Sequence, residues 1–420
     1  MIKYENYKKV NLPWIKKIPK HWELIKVKNI FKISKDLSYK ENPKVLSLAR
    51  DKIKIRNISN NEGQLAESYN NYNTVKIGDL LLNPMDLYSG ANCNISHYDG
   101  VISPAYVNLR AKEKICVKYY DYIFKIQYTS LAFQSVGKGV SFNNRWTLSN
   151  ITLLNYLVLF PSFFEQQQIA KYLDWKIKMI DEIIHIEKQN IEKLETLKQK
   201  YIDNIFNSLN CRRYIRLGKL GNFSKGGGFS RENLTNSINE AILYGDIYTK
   251  YNYWLEKCVS TIDDKGFKDA KYLQEPAVLF TASGETKEDI GKTVAFIGNH
   301  KIAVGGDVII FRVKKDINVK YISYFCNTSK IKYEKYIESS GEIIVHISSE
   351  SLKDIKIPFI TLEEQEDIVS KIDSFIELQN KIISSKNIII ENYMKLKQSL
   401  ISEVVTGQID VRNVKIPERK

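Results

Sequence analysis

Residues 165–205 read EQQQIAKYLDWKIKMIDEIIHIEKQNIEKLETLKQKYIDNI, and residues 364–404 read EQEDIVSKIDSFIELQNKIISSKNIIIENYMKLKQSLISEV. At an offset of 199 the two stretches align without a gap, and 13 of the 41 pairs are identical. A single register held over this length indicates an internal duplication, which has to be recognised before any shorter motif is interpreted.

Both stretches repeat their apolar residues with alternating steps of four and three, which is the heptad pattern of a helical seam. At about 1.5 Å per residue, such a helix extends about 60 Å. This is far longer than an ordinary core helix, so we expect the two helices to pack along each other. The predicted core of the pair is Leu173, Ile177, Ile180, Ile184, Glu187, Ile191 and Leu194 with Ile372, Ile376, Ile383, Lys386, Ile390, Tyr393 and Leu400.

One pair of seam positions carries opposite charges. Glu187 and Lys386 are equivalent in the repeat and lie near the middle of the two stretches. A pseudo-two-fold axis would make the helices antiparallel and would bring equivalent midpoint residues together. We therefore predict an antiparallel pair with Glu187 opposite Lys386; the alternative is that both side chains extend independently into water.

The duplication continues upstream of each helix. KYYDY at 118–122 matches KYISY at 320–324 at an offset of 202, and LSNI at 148–151 matches LKDI at 352–355 at an offset of 204. Short apolar runs bounded by Gly, Pro, Asn and Asp, such as 277–280, predict strands. The predicted fold is α+β, with two tandem mixed α/β parts, each followed by a long helix, and with the helices packed as an antiparallel coiled coil of pseudo-two-fold symmetry.

The repeat also sets the predicted boundaries. Residues 1–160 and 211–358 form the two globular parts, residues 161–210 and 359–407 form the long helices, and residues 408–420 form a C-terminal tail.

Charge is concentrated in the globular parts. The 420 residues include 63 Lys and Arg against 48 Asp and Glu, a net charge of +15. Residues 1–160 hold 24 basic and 12 acidic residues, and residues 206–363 hold 23 and 19. The two long stretches carry a net charge of −1 and −2. A basic excess in globular parts favours a nucleic acid as partner over a membrane surface; the alternative is a role in solubility alone.

Several classes of protein are disfavoured. Residues 1–10 are polar and charged, which is not the pattern of a signal peptide. The most apolar stretch, 151–164, is short and interrupted by polar residues and Pro161, so we expect no membrane span. The five cysteines are scattered without a CxxC pair, which is typical of a reducing cytoplasm and predicts no metal site.

Catalytic motifs are incomplete wherever they begin. The sequence Gly291-Lys292-Thr293 lacks the upstream glycine of a phosphate-binding loop, and Gly226-Gly227-Gly228 is not a dinucleotide fingerprint. Asn83-Pro84-Met85 lacks the second proline and the aromatic residue of an amino-methyltransferase motif. We therefore expect a chain that has no catalytic residues and no cofactor of its own.

Three segments carry a family resemblance. Trp14 and the run Ile18–Glu23 resemble the Trp-x-Gly-x-Ile-Pro-x-His-Trp-Glu opening of the specificity subunits of type I restriction–modification systems, with Lys16 in place of the glycine. Phe160-Pro161 before Glu165–Asp174 resembles the family's junction, which returns more weakly around Glu364. Glu403–Asp410 is similar to the family's C-terminal end.

This resemblance implies a non-catalytic DNA-binding subunit. Each globular part would be a target-recognition domain for one half of a split double-stranded DNA site. The helices would fix the spacing and dock two methyltransferase subunits, and restriction (translocase) subunits would join them. Adenine-N6 methylation with S-adenosylmethionine, and cleavage with ATP and Mg, would belong to those partners.

Candidate DNA contacts are loop residues with suitable chemistry. Lys and Arg contact phosphates, and Asn, Arg and aromatic side chains contact bases; for each residue the alternative is an ordinary solvated loop position. The candidates are Tyr88, Asn92, Lys138, Asn143, Asn144 and Arg145 in the first part, and Lys225, Arg231, Ser283, Lys287 and His346 in the second.

Two other functions remain open from the sequence. One is a coiled-coil interaction or scaffold protein without sequence-specific DNA binding. The other is the DNA-binding part of a methyltransferase of another type, although a fused enzyme would need a cofactor domain of about 200 further residues.

Overall fold

The computed structural model describes residues 2–37, 43–57, 68–85, 87, 93–139 and 146–417. The chain divides into two compact units, Met1–Ile186 with Ile389–Lys420, and Glu187–Ile388. Both divisions fall inside a long helix, so each unit contains one half of each helix.

The first globular part alternates short strands with short helices. Its elements are β1 (Tyr7–Leu12), β2 (Ile15–Pro19), β3 (Glu23–Lys26), α1 (Val27–Ile30), β4 (Phe31–Ile33), β5 (Leu46–Leu48), β6 (Ile53–Ile55), β7 (Asn73–Val75), β8 (Leu80–Leu82), β9 (Cys93–Ile95), β10 (Gly100–Ile102), β11 (Val107–Ala111), α2 (Val117–Thr129), α3 (Ala132–Val136), α4 (Asn150–Asn155) and β12 (Leu157–Phe160), followed by the long helix α5 (Phe163–Asn207).

The second globular part repeats this order and adds strands. Its elements are β13 (Tyr214–Arg216), a 3-10 turn (Leu217–Lys219), β14 (Gly221–Lys225), a second 3-10 turn (Arg231–Asn233), β15 (Leu234–Ile242), α6 (Tyr244–Thr249), β16 (Trp254–Leu255), β17 (Ser260–Ile262), α7 (Asp264–Asp269), β18 (Lys271–Leu273), β19 (Ala277–Thr281), β20 (Ser283–Gly284), β21 (Thr293–Phe296), β22 (Ile302–Val304), β23 (Val308–Val313), α8 (Val319–Cys326), α9 (Ser329–Glu338), β24 (Val345–His346), α10 (Ser349–Asp354) and β25 (Lys356–Pro358), followed by the long helix α11 (Leu362–Val405).

The central sheets of the two parts have the same topology. The first has the strand order β4-β11-β8-β9, with every neighbouring pair antiparallel. The second has the order β14-β23-β19-β21-β16, in which β16 adds a parallel strand at the edge. In each part a further two-stranded ribbon, β3 with β12 or β13 with β25, lies just before the long helix. The predicted tandem α+β fold is therefore confirmed.

The second part also contains a sheet of its own. Its order is β17-β15-β22-β18, with β15 and β22 parallel and the other pairs antiparallel. The remaining ribbons are β1 with β2, β5 with β6 and β7 with β10 in the first part, and β20 with β24 in the second.

Both long helices begin at a hydroxyl cap that the sequence supplies. The Ser162 hydroxyl accepts a 3.3 Å hydrogen bond from the Glu165 amide. In the second copy the Thr361 hydroxyl accepts from the Glu364 amide at 3.3 Å, and the Glu364 carboxylate accepts from the Thr361 amide at 2.8 Å. These reciprocal bonds satisfy donors that have no partner inside the helix.

The helices run antiparallel in each unit, as predicted. In the first unit Asp181 of α5 pairs with Lys397 of α11 at 2.6 Å. In the second unit Glu187 pairs with Lys386, and the ring of Tyr201 stacks on Phe375 with centroids 3.8 Å apart. Along these contacts the residue number rises in α5 while that of its partner in α11 falls, so the two helices run in opposite directions.

The alignment before the helices needs a correction. The Ser149 hydroxyl caps α4 by accepting from the Thr152 amide, and the Ser348 hydroxyl caps α10 by accepting from the Ser351 amide, both at 3.1 Å. These serines are equivalent at an offset of 199. The offset of 204 proposed for this segment is therefore wrong, because Leu148 precedes its cap whereas Leu352 follows its own.

The C-terminal segment after α11 is part of the first core. Gly407 has a left-handed φ of +71°, which ends the helix without the strain that a side chain would cause. Ile409 and Val411 are buried among core residues of the first unit, and the Asp410 amide donates to the carbonyl of Ile2 at 2.9 Å. In the described part of the chain, no helix is apolar over a sufficient length to cross a membrane.

Candidate nucleic-acid interface and helix pair

One of the six candidate DNA contacts in the first part lies among the described residues. Tyr88, Asn92, Asn143, Asn144 and Arg145 lie outside the described residues. Lys138 is described: it is exposed, and its backbone pairs with Thr147 in both directions, at 2.9 and 2.8 Å. In the sequence, Asn143, Asn144 and Arg145 stand between these two bridged residues.

The second part has a described hairpin next to its candidate residue His346. Ser340 and His346 exchange backbone hydrogen bonds at 3.0 and 2.8 Å, and Gly341 turns the chain with a φ of +109°. At its tip Ile343 and Ile344 are 88% and 57% exposed. Sequence reasoning found His346 but missed the two isoleucines, whose signal was an apolar pair two residues after Gly341.

Two of the five candidates in the second part lie in contact. The Ser283 hydroxyl is 2.9 Å from Nδ1 of His346 and 3.2 Å from a carboxylate oxygen of Asp307. In a nucleophilic triad the histidine stands between the hydroxyl and the carboxylate. Here the serine stands between them, so the group anchors strands β20 and β24 rather than activating a nucleophile.

Arg231 lies beside an aromatic residue that the sequence analysis missed. Its guanidinium lies over the ring of Tyr244, 5.7 Å from the centroid. Both residues line a cavity of about 540 Å³ with Tyr248 and Glu285. A stacked guanidinium with free edges can contact a base or a phosphate. The remaining candidates are on other elements: Lys225 ends β14 and is exposed, and the Lys287 ammonium lies 6.0 Å from the ring centroid of Tyr336.

The predicted seam residues of the two helices are buried to different extents. Glu187 and Lys386 are half-buried and joined at 2.6 Å, so the contact predicted between them is present. The Lys386 ammonium lowers the pKa of the Glu187 carboxyl. The other seam residues are buried at Leu173, Ile180, Ile372, Ile390 and Leu400, and half-buried at Ile177, Ile184, Ile191, Leu194, Ile376, Ile383 and Tyr393.

Each helix is fixed to its globular part by the same side chains in both repeats. The Gln166 carbonyl accepts from the Cys116 amide at 2.9 Å while its NH₂ donates to the carbonyl of Pro161 at 2.9 Å. Gln365 repeats this with the Asn318 amide at 2.9 Å and the carbonyl of Ile360 at 3.1 Å. Both glutamines are buried, so each satisfies two backbone groups that water does not reach.

A tyrosine–aspartate contact accompanies each glutamine. The Tyr122 hydroxyl donates to Asp174 at 2.6 Å, and the Tyr324 hydroxyl donates to Asp373. Burial, followed by the aspartate contact, raises the pKa of both phenols. The same two contacts therefore join the long helix to the globular part in each unit.

The three segments that resemble the family meet in the first unit. The carboxylate of Glu165 accepts from the Tyr4 hydroxyl at 2.6 Å and lies 3.0 Å from Nε2 of His21. At Gly407 a Cβ would lie 2.5 Å from Pro19 and 3.0 Å from Trp22, so only glycine fits there. The opening, junction and C-terminal segments thus form one packed cluster.

Comparison with known proteins agrees with this arrangement. Residues 212–392 match the family model of the type I restriction modification DNA specificity domain. Two specificity subunits from Methanocaldococcus jannaschii are similar: the type I restriction enzyme MjaVIII specificity subunit, 25% identical over 81% of each chain, and the putative MjaX specificity subunit, 23% identical over 98% of each chain.

Solved structures share the fold. A chain from a study of complex assembly and conformational transition of the type I restriction–modification system has a TM-score of 0.71 and 14% identity, covering 93% of this chain and 99% of its own. The HsdS subunit from Thermoanaerobacter tengcongensis has a TM-score of 0.53 and 13% identity, covering 95% and 100%. The fold of this chain is therefore the one that these two solved structures have. The chain is similar to the specificity subunits of type I restriction–modification systems, and the family model of their DNA specificity domain matches residues 212–392.

Proposed function

We propose that this chain is the non-catalytic specificity subunit of a cytoplasmic type I restriction–modification complex and binds a bipartite double-stranded DNA site. Each globular part reads one half-site. The observation that carries this proposal is the matched scaffold, with Gln166 and Tyr122 in one unit and Gln365 and Tyr324 in the other. A repeated scaffold that presents different loops suits two different half-sites.

Exposed apolar residues on the two helices support the proposal that two methyltransferase subunits dock there. Met179 and Leu378 are equivalent and are 42% and 59% exposed, while Leu197 and Leu396 are equivalent and are 50% and 46% exposed. Exposed apolar side chains at the same positions of both copies are typical of a protein contact that is made twice. Restriction subunits join this assembly, and S-adenosylmethionine, ATP and Mg serve the partner subunits.

Stoichiometry tests the docking. Leu197→Glu and Leu396→Glu each place a charge at one of the two equivalent exposed leucines. We expect each variant to bind one methyltransferase chain instead of two, and the double variant to bind none, by native mass spectrometry. Ser399→Glu, an exposed position of α11 that is already polar, is the control. Two bound chains in both single variants would contradict the proposal.

The split site is tested by mapping adenine-N6 methylation. Seven residues inserted after Ile186 and seven after Ile388 add two helical turns to both helices and keep the heptad register. We expect a longer non-specific spacer with unchanged half-sites. An unchanged spacer, or a continuous site in the unaltered protein, would refute the bipartite arrangement.

A scaffold without DNA binding is the competing function. Steep salt dependence of duplex binding distinguishes the two, because each phosphate contact releases counterions. A scaffold would show no such dependence.

A further inference from the structure

A second cavity in the unit formed by residues 187–388 is lined with lysines. Its volume is about 270 Å³, and it lies between α5 and the second globular part. This is just below the range of sites for drug-sized ligands, so it suits a small group. Its lining includes four lysines, Lys198, Lys292, Lys332 and Lys335.

The positive charge of this cavity is only partly neutralised within the lining. Two carboxylates line it, Glu195 and Asp289, and Glu195 pairs with Lys198. Asp289 is the other lining carboxylate among the residues the structure describes. Asp289 raises the pKa of both Lys292 and Lys332 through its charge, and Asp203, which lies outside the lining, adds to this effect at Lys332. Burial outweighs these charges, so both pKa values are lowered.

The three lysines are held by neutral acceptors. The Lys292 ammonium donates to the carbonyl of Tyr248 at 3.1 Å, and the Lys332 ammonium donates to the side-chain carbonyl of Gln199 at 3.0 Å. Lys335, which is fully buried, donates to the carbonyl of Gly291 at 2.6 Å. An ammonium has three N–H groups, so donors of Lys292 and Lys332 remain available to a molecule in the cavity.

Burying ammonium groups side by side is costly unless an anion accompanies them. The geometry points to a binding site for a phosphate-type oxyanion in this cavity, with Lys292 and Lys332 as its principal ligands and Lys335 as the buried charge behind them. The amide of Asn252 also lines the cavity and can complete the contacts of such an ion. The oxyanion is either free or the phosphate of a nucleic acid; the chemistry of recognition is the same.

Calorimetric titration of the full chain with inorganic phosphate tests this site. Sodium chloride holds the ionic strength constant. The expected result is saturable binding that weakens on the order of tenfold in Lys332→Met and in Lys292→Met, as for the loss of one charge-assisted hydrogen bond. Lys330→Met, on the exposed face of the same helix α9, is the matched control and should bind as the unaltered protein does.

The same variants identify the source of the oxyanion. If it is a DNA phosphate, Lys332→Met also weakens duplex binding and phosphate competes with the duplex. If it is a free anion, duplex affinity is unchanged while phosphate binding is lost. Absence of saturable phosphate binding in the unaltered protein, or equal affinity in Lys332→Met, Lys292→Met and Lys330→Met, would overturn the proposal. None of these outcomes depends on the proposed half-site reading.

Discussion

The ammonium of Lys386 donates a 2.6 Å hydrogen bond to the carboxylate of Glu187, and the two residues occupy the same position of the repeat, 199 residues apart. Where equivalent positions of the two copies face each other, a duplication without later substitutions would place identical side chains in contact. Two glutamates or two lysines there would repel each other. The divergence of one copy to glutamate and the other to lysine converts that repulsion into attraction.

Charge exchange at this position tests the pairing. Glu187→Lys and Lys386→Glu each create a like-charge contact, so each should lower the melting temperature. The double variant restores opposite charges and should recover most of the loss, which a double-mutant cycle measures. Additive losses in the double variant would contradict a specific interaction.

The same pair should respond to acid. Because the pKa of Glu187 is lowered in the folded chain, its stabilising contribution is present above the ordinary carboxyl pKa of 4.5 and is lost as the pH falls through the lowered value. We expect the difference in unfolding free energy between the unaltered protein and Glu187→Gln to decrease towards zero as the pH falls below 4.5. A difference that persists at pH 2 would show that charge is not its origin.

Gln379 is a polar residue in the apolar seam. It is 3% exposed, and neither its carbonyl oxygen nor its NH₂ has a hydrogen-bond partner in the described part of the chain. The equivalent residue of the first copy is Ile180, which is also buried. A buried polar group without a partner costs about 1–3 kcal/mol. Gln379→Ile should therefore stabilise the second unit by about this amount in urea unfolding.

The reciprocal change provides the control. Ile180→Gln introduces the same polar group into the first unit and should destabilise it by a similar amount. If Gln379→Ile destabilised the protein, the glutamine would have to be bonded to a partner or required for the register of the helices.

The buried glutamines at the two junctions should have equal importance. Gln166→Leu keeps the approximate volume but leaves the Cys116 amide and the carbonyl of Pro161 unsatisfied, and Gln365→Leu does the same in the other unit. We expect each to cost at least about 1–3 kcal/mol of unfolding free energy. The exposed Gln398→Leu should change it by less than about 0.5 kcal/mol. Equal effects of all three would contradict this role.

The predictable features were those with a local pattern. The heptad of 165–205 and 364–404 specified two long helices, and opposite charges at Glu187 and Lys386 specified their direction. The strand β19 follows from an apolar run, because a fully buried strand has no polar alternation. These signals are periodic or local, so a single sequence contains them.

The features that were missed depend on contacts distant in sequence. From the sequence, the segment around Ile409 is predicted to be a tail, because no local pattern shows that it packs against residues near Ile2. Lys335 reads as a surface lysine of an amphipathic helix, yet it lies one turn after the buried Ile331 and shares its face. That spacing was the available signal for the lysine cavity.

Lys335 should give the second unit a distinctive alkaline behaviour. Burial lowers the pKa of its ammonium from 10.5 to about 8; the Cys326 thiol opposes this shift and the Lys332 ammonium adds to it. Between pH 8 and 10.5 the unfolded chain binds the proton more tightly, so folding stability rises with pH. Relative to Lys335→Met, the unaltered protein should gain roughly 3 kcal/mol across that window in a buffer without phosphate. A constant difference would mean that this lysine stays protonated.

The uneven charge of the two globular parts leads to the last prediction. Residues 1–160 have twice as many basic as acidic residues, whereas residues 206–363 are nearly balanced. Non-specific DNA binding depends on phosphate contacts, and each contact contributes about 0.9 to the slope of log K against log salt. We predict that the first part contributes more of this slope than the second.

Matched alanine variants of the full chain measure this difference. Each variant removes three exposed lysines from one part, namely Lys52, Lys54 and Lys76 from the first or Lys225, Lys257 and Lys265 from the second. Removal of the same charge from each part keeps the change in net charge equal, so a difference in slope reports the location of the phosphate contacts rather than the total field. We expect the first triple variant to flatten the slope more, measured by fluorescence anisotropy on a random duplex between 50 and 200 mM salt. A flatter slope in the second variant would show that the loops of residues 206–363 bind the backbone despite their lower charge.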